Sequence, residues 1–411
     1  MASSISVGEV YEIISKTVAP AGRVIELPLD EANGKFLAEC VTSPTPVPLF
    51  NNSAMDGYAF NSAILETCAD KCRLLVKGAS YAGTPPDQTI DPQAALKVMT
   101  GAYVPSAYDT VIPYEKVNAY DENDQNFIEF SVCDIKPKVN LRLKGEEIAA
   151  GDTVLTAGTR LGAAEIGLAA ALGRSHLKCR VLRAAVFATG DELTPPGEQL
   201  RAGSIYDANS HLVTASLRAW GVEVHNLGIL PDDPQALRTA IRNAASNCDF
   251  LVTSGGVGES ERDFTTSVLS ELGELSHYAI RMRPGKPFSL GVLRTQEKST
   301  YFVALPGNPV AAAMSAKLFL REAVYRAAGS AAPCLCVSAK AAAPIKGRKG
   351  RTDFVRGTLA MEKDELVFHA TKSQSSAMLT TLVGRNGAAV LNEESAGVEA
   401  GSIIKVFVLP D

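Results

Sequence analysis

Aromatic side chains are scarce in this 411-residue chain, at 6% of the total with a single tryptophan, Trp220. Its cores must be filled mainly by aliphatic residues and alanine, drawn from an apolar content of 46%. An excess of one charge is also lacking. Forty basic against forty-five acidic residues give a net charge of −5, which excludes the broad basic field of a general nucleic-acid binder. A small polyanion would need a local cluster of positive charge instead. Long hydrophobic runs are missing too: the longest apolar helical stretch, 308–328, is broken by Lys317, Arg321 and Glu322, so no membrane insertion is expected. The opening Met1-Ala-Ser-Ser-Ile-Ser-Val has no basic region and soon meets Glu9 and Glu12, unlike a secretory leader. The eight cysteines (40, 68, 72, 133, 179, 248, 334, 336) are scattered, without the usual zinc spacing, and the five histidines cluster with nothing. Reduced, mostly buried thiols in a cytoplasmic protein are expected. At about 150 residues per domain, the length predicts two to four domains.

The organisation follows from pattern. Ser6-Val-Gly-Glu9 is a capping box, with Val10, Tyr11, Ile14 and Val18 at helical spacing behind it. Prolines 44, 46 and 48 interrupt the chain, and short apolar runs between turn residues then predict an all-β insert over 46–138. An Ala-rich helix at 163–172 is expected to pack on the first helix, making 1–45 and 139–177 one discontinuous, mixed helical domain. Over 178–329, strands near 184–188, 222–225, 249–253 and 301–305 alternate with helical patterns at 208–220, 234–246, 264–272 and 309–328. That rhythm predicts a doubly wound, parallel α/β domain. Beyond 330, glycine-broken strands predict a C-terminal β-barrel-like domain over 330–411. The fold class is thus a multidomain α/β protein.

Doubly wound sheets bind ligands beyond the carboxyl ends of their strands, and the unusual loops of this sequence fall there. Thr253-Ser-Gly-Gly-Val-Gly258 offers hydroxyls and two adjacent glycines, Gly255 and Gly256. It is either an anion cradle or simply a tight turn. Glu192, Asp232, Asp233 and Asp263 occupy the same row of loops; such carboxylates either ligate a hard cation or cap the next helix, and Asp233 before Pro234 reads as a cap. Arg283-Pro-Gly-Lys-Pro287 presents two cations, Arg283 and Lys286, on a stiff loop in which Gly285 lets a ligand approach the backbone. Lys346-Gly-Arg-Lys-Gly-Arg351 with Arg356 is the densest basic cluster and by itself reads as an exposed hairpin. Asp56-Gly57 reads as a turn.

Taken together, Asn52-Ser-Ala-Met-Asp-Gly-Tyr-Ala59, Met99-Thr-Gly-Ala102, Asn140-Leu-Arg-Leu-Lys-Gly-Glu-Glu147, Thr189-Gly-Asp-Glu-Leu193, Ser204-Ile-Tyr-Asp-Ala-Asn209, Ser254-Gly-Gly-Val257, Pro284-Gly-Lys-Pro287, Leu305-Pro-Gly-Asn-Pro-Val310 and Gly350-Arg-Thr-Asp-Phe-Val-Arg356 resemble the molybdopterin molybdenumtransferase family, known as MoeA in bacteria and as the gephyrin E domain in animals. The resemblance runs over essentially the whole chain. It implies a homodimer with its active site at the subunit interface, which converts adenylylated molybdopterin and molybdate to molybdenum cofactor and AMP with Mg²⁺. It further implies a molybdopterin adenylyltransferase and molybdoenzymes or their chaperones as partners. A binding or scaffold member with weakened catalysis, and a molybdopterin adenylyltransferase, are the alternative functions.

The same resemblance distributes roles. Glu192 and Asp263 match the cation ligands; Asp56, Thr100, Glu147, Asp232 and Lys286 match catalytic positions. Thr253, Ser254, Gly255, Gly256, Pro306 and Asn308 would line the pterin and nucleotide cleft. Arg283, Gly285, Arg351 and Arg356 would bind oxyanion or phosphate. The chain departs from the family pattern at Gly258, Glu259 and Ala311, where two hydroxyls are lost and a carboxylate is gained, and at Arg283, where lysine is usual.

Overall fold

The computed structural model describes residues 3–86, 90–255, 264–294, 298–333 and 335–409. The chain forms two compact units, one of 1–39, 157–167 and 175–411, the other of 40–156 and 168–174.

The first unit is built on a seven-stranded sheet. Four parallel strands, Ser299–Leu305, Phe250–Ser254, Arg183–Thr189 and Glu223–Leu230, lie side by side. Alternate residues face opposite sides. Phe187, Leu251 and Phe302 meet the helices Pro234–Asn247 and Phe264–Leu272 through Leu237, Ile241, Val268 and Leu269. Val186, Phe250 and Val252 face the other layer, which includes Asn209–Ala219 and the long helical run 309–327. Helices on both faces make this the doubly wound architecture expected. The sheet is mixed, however, rather than purely parallel. Pro287–Arg294 runs antiparallel to Ser299–Leu305, Glu274–Ile280 runs antiparallel to that, and Ser3–Ile5 adds in parallel at the edge.

The first helix, Val7–Thr17, carries the full capping box between Ser6 and Glu9. Its partner differs from the one expected. The stripe of Val10, Ile14 and Val18 is branched and broad, and it packs into the core with Leu318, Phe319 and Val324; Tyr11 meets Phe319 edge-on at 5.6 Å. Asp233 caps Pro234–Asn247, its side chain accepting from the Ala236 amide at 2.7 Å.

Beyond 335, the strands Cys336–Ala341, Thr352–Glu362, Glu365–Ala370, Gly387–Leu391 and Ile403–Val408 close on themselves as a five-stranded barrel, because Thr352–Glu362 pairs with both Glu365–Ala370 and Gly387–Leu391. The short strand Met282–Arg283 pairs in parallel with the start of Thr352–Glu362.

The second unit holds a six-stranded sheet in the order Asn118–Glu122, Gln125–Ser131, Lys71–Ser80, Ala95–Val98, Gly57–Phe60, Thr110–Pro113, around Phe60, Leu74, Ile112 and Ile128. The expectation of reduced, mostly buried thiols is corrected. Cys68 and Cys72 form a disulfide, because the turn after the short helix Ser62–Thr67 sets their Cα atoms 5.3 Å apart. Cys179 and Cys248 are buried, but Cys40, Cys133 and Cys336 are exposed. No described helix is long and apolar enough to cross a membrane.

Candidate active site

Parallel register brings the strand ends Thr189, Leu230, Ser254 and Leu305 to one edge of the sheet. The antiparallel strand does something the sequence reading did not anticipate: by running backwards, Pro287–Arg294 delivers its beginning, and with it the Arg283–Pro287 loop, to that same edge. The Ile280 amide donates to the Lys286 carbonyl at 2.7 Å and fixes the loop there.

Two cavities open along this edge. The smaller, of about 110 Å³, is lined by Thr189, Glu192, Ile205, Tyr206, Asp207, Asn209, Ser254, Gly255 and Gly307 among others. Gly190 is held at φ +145°, and a Cβ there would lie 2.6 Å from the Glu192 carboxylate, so this glycine is what allows Glu192 to fold back over the chain. Asp207 is buried and caps the following helix through the Ser210 amide at 3.0 Å.

The larger cavity, of about 500 Å³, is lined by Arg281–Pro287, Pro306–Asn308, Ala311, Arg351 and Ser376 among others. Gly307 belongs to both, so one turn, 306–308, is the wall between them. Arg283 and Lys286 are exposed and make no ion pair among the described residues. Arg351 is paired with buried Asp353 at 2.9 Å, and Arg281 with Glu393 at 2.9 Å. Two cations unpaired among the described residues, beside two paired ones, give the cavity a positive field suited to an oxyanion or phosphate. The buried hydroxyls of Thr253 and Ser315 have no partner among the described residues. Ser315 lies beneath Gly285, whose added Cβ would meet its Oγ at 2.6 Å.

Arg356 is brought close to this cavity but does not line it. Its side chain is fully buried, donating to Thr381 Oγ1 at 3.1 Å and to the Ser375 carbonyl at 3.2 Å. Burial first, and then Arg283, lower its pKa to about 10. Its direct role is to hold the segment that presents Ser376, which also accepts from the Val310 amide at 3.0 Å. Asp232 follows Leu230 at the sheet's carboxyl edge. Gly256, Gly258, Glu259 and Asp263 lie outside the described residues.

In the second unit Asp56 and Thr100 meet directly. The Thr100 amide and hydroxyl donate to Asp56 Oδ1 at 2.7 and 2.8 Å, and these two bonds hold the exposed carboxyl below its ordinary pKa. Tyr114, pushed up to about 12 chiefly by burial, stays protonated beside them and donates to the Val98 carbonyl. Glu147 is exposed, with its amide on the Val47 carbonyl. A hollow of about 650 Å³ against the strand Glu223–Leu230 is larger than either cavity. Its lining charges Arg183 and Glu223 neutralise each other at 3.2 Å, so size does not mark the site.

Sequence reasoning assigned no role to Asn209 or Asp207, although both sit in a quoted motif, and nothing in the local sequence marked Ser376.

A doubly wound sheet with a cationic and an acidic cavity beside one turn at its carboxyl edge defines an α/β protein whose candidate site lies where such sheets take their ligands. The comparisons make this specific. Residues 5–173 match the MoeA N-terminal region (domain I and II), 185–326 a probable molybdopterin binding domain, and 338–409 the MoeA C-terminal region (domain IV). The molybdopterin molybdenumtransferase of Haemophilus influenzae is 36% identical, over 92% of each chain. That of a Nostoc species is 33% identical, over 92% of this chain and 87% of its own. The crystal structure of the molybdopterin biosynthesis MoeA protein of Pyrococcus horikoshii superposes with a TM-score of 0.78 at 27% identity, covering 100% of both chains. The chain belongs to the molybdopterin molybdenumtransferase (MoeA) family.

Proposed function

We propose that this protein inserts molybdate into adenylylated molybdopterin, releasing AMP. The observation that carries the reading is the shared turn 306–308: Gly307 lines both a cavity whose Arg283 and Lys286 have no ion-pair partner among the described residues and a cavity with an acidic wall. Molybdate, the dithiolene-bearing pterin phosphate and the leaving nucleotide are all anionic. Bringing them together is opposed by Coulomb repulsion, so the main task of the protein is neutralisation and positioning. Arg283 and Lys286 hold oxyanion or phosphate. Arg351, already oriented by Asp353, adds donors at the rim. Gly255 and the 306–308 turn let the nucleotide approach backbone closely.

A divalent cation such as Mg²⁺ would screen the diphosphate as a Lewis acid when bound. Of its proposed ligands only Glu192 lies among the described residues, and those residues form no group of three metal-binding side chains.

The reading extends to a homodimer with the active site at the subunit interface. The second unit exposes Leu49, Phe50, Met55, Tyr81, Tyr103 and Leu143, with Phe50 and Tyr103 edge-on at 5.5 Å. Exposed apolar side chains of this kind suit an interface, and Asp56 and Thr100 belong to the same unit. The test is to incubate the purified protein with adenylylated molybdopterin and Mg²⁺, with and without molybdate, and follow AMP release and reconstitution of a molybdoenzyme. Molybdate-dependent AMP release is expected; tight binding with no such release contradicts the reading.

A further inference from the structure

We infer that Asn209 is a positioning residue that sets the wall between the two cavities. Its amide nitrogen donates to Ser254 Oγ at 2.8 Å and to the Gly307 carbonyl at 2.7 Å. Ser254 Oγ in turn donates to the Pro306 carbonyl at 3.2 Å. The directions are forced. A carbonyl cannot donate, so the NH₂ side of Asn209 must face Gly307. The single hydroxyl hydrogen of Ser254 goes to Pro306, so its lone pair receives the second N–H. Both amide hydrogens thus tie the exit of Phe250–Ser254 to the turn that follows Ser299–Leu305. There the Gly255 amide reaches the Leu305 carbonyl at 3.1 Å, the last such link among the described residues.

Gly307 has no side chain with which to anchor itself, yet it lines both cavities. Asn209 supplies that anchor from a third element, the start of Asn209–Ala219. It is not needed to begin that helix, because Asp207 accepts from the Ser210 amide. The anchoring role is therefore separable from the folding of the helix. Displacing the wall by about an ångström would leave the contacts of Arg283 and Lys286 with the oxyanion in place while shifting the nucleotide at the 306–308 turn and misaligning the two reactants, an error that falls chiefly on turnover.

The inference rests on the proposed reaction, and two variants of the full chain test it. Asn209→Asp keeps size but has no hydrogens to give; Asn209→Ala removes the group. In both, kcat for molybdate-dependent AMP release is expected to fall about tenfold or more, with KM for molybdate nearly unchanged. Amide exchange at Gly255 is expected to accelerate, while that of Asn209–Ala219 stays slow. Unchanged kcat, a rise in KM alone, or exchange at Gly255 identical to wild type would each overturn it. If the wild-type protein releases no AMP with molybdate, the functional reading fails, and the exchange measurement still decides the role of Asn209.

Discussion

Thr100 gives both its amide and its hydroxyl to a single carboxylate oxygen of Asp56, at 2.7 and 2.8 Å. Two charge-assisted bonds on one oxygen stabilise the anion and fix its orientation. Because the folded pKa is lowered, the favourable contribution exists above the ordinary carboxylate pKa and is lost as pH falls through the folded value. Thr100→Val keeps the amide bond and removes the other. The Asp56 pKa, followed by carbon-detected NMR titration, is expected to move up toward its ordinary value. An identical titration in both proteins would show that the hydroxyl contributes nothing.

Gly285 stands at φ +106° above Ser315. Gly285→Ala faces left-handed strain of roughly 1–2 kcal/mol together with a Cβ 2.6 Å from the serine hydroxyl. Lower thermal stability is expected, with weaker molybdate binding as the loop shifts. Adding Ser315→Ala removes the clash but not the strain, so the double variant should melt between Gly285→Ala and wild type. Strict additivity of the two single effects would argue against the contact.

Arg356 is a buried guanidinium with no carboxylate partner among the described residues, held by Thr381 and the Ser375 carbonyl. Arg356→Ala leaves a void and two unpaired acceptors, a loss of about 3 kcal/mol measurable by urea unfolding. Arg356→Lys keeps the charge but not the planar fork, and is expected to recover only part of that loss.

Glu192 places a negative charge in a cleft for anions. Coulomb's law alone makes Glu192→Gln a gain in affinity for adenylylated molybdopterin. If the carboxylate holds a cation, the sign reverses: turnover falls and its dependence on added Mg²⁺ flattens. Steady-state kinetics across a Mg²⁺ titration distinguish the two, and the second result is the one expected.

Much of this arrangement was legible in the chain. The strand–helix alternation from 184 onward, the Ser6–Glu9 capping box and the Asp233 cap are local signals, and the structure bears them out. The antiparallel strands Glu274–Ile280 and Pro287–Arg294 were missed because glycine, serine and histidine interrupt their apolar pattern. With them went the physical reason that Arg283 and Lys286 reach the carboxyl edge. In sequence Arg356 reads with an exposed basic cluster, although strand alternation places it on the same face as Phe354, inside the structure. Burial of a cation depends on the acceptors that come from 375 and 381, which no local pattern announces.

Single-turnover AMP release as a function of molybdate concentration, in wild type and in Lys286→Met, bears most directly on the claim that the cationic cavity holds the oxyanion reactant. Losing one charge-assisted contact is worth about 1.5–3 kcal/mol. Half-saturation by molybdate should therefore rise roughly tenfold to a hundredfold, with the affinity for adenylylated molybdopterin changing far less. Superimposable molybdate curves for the two proteins would contradict the account.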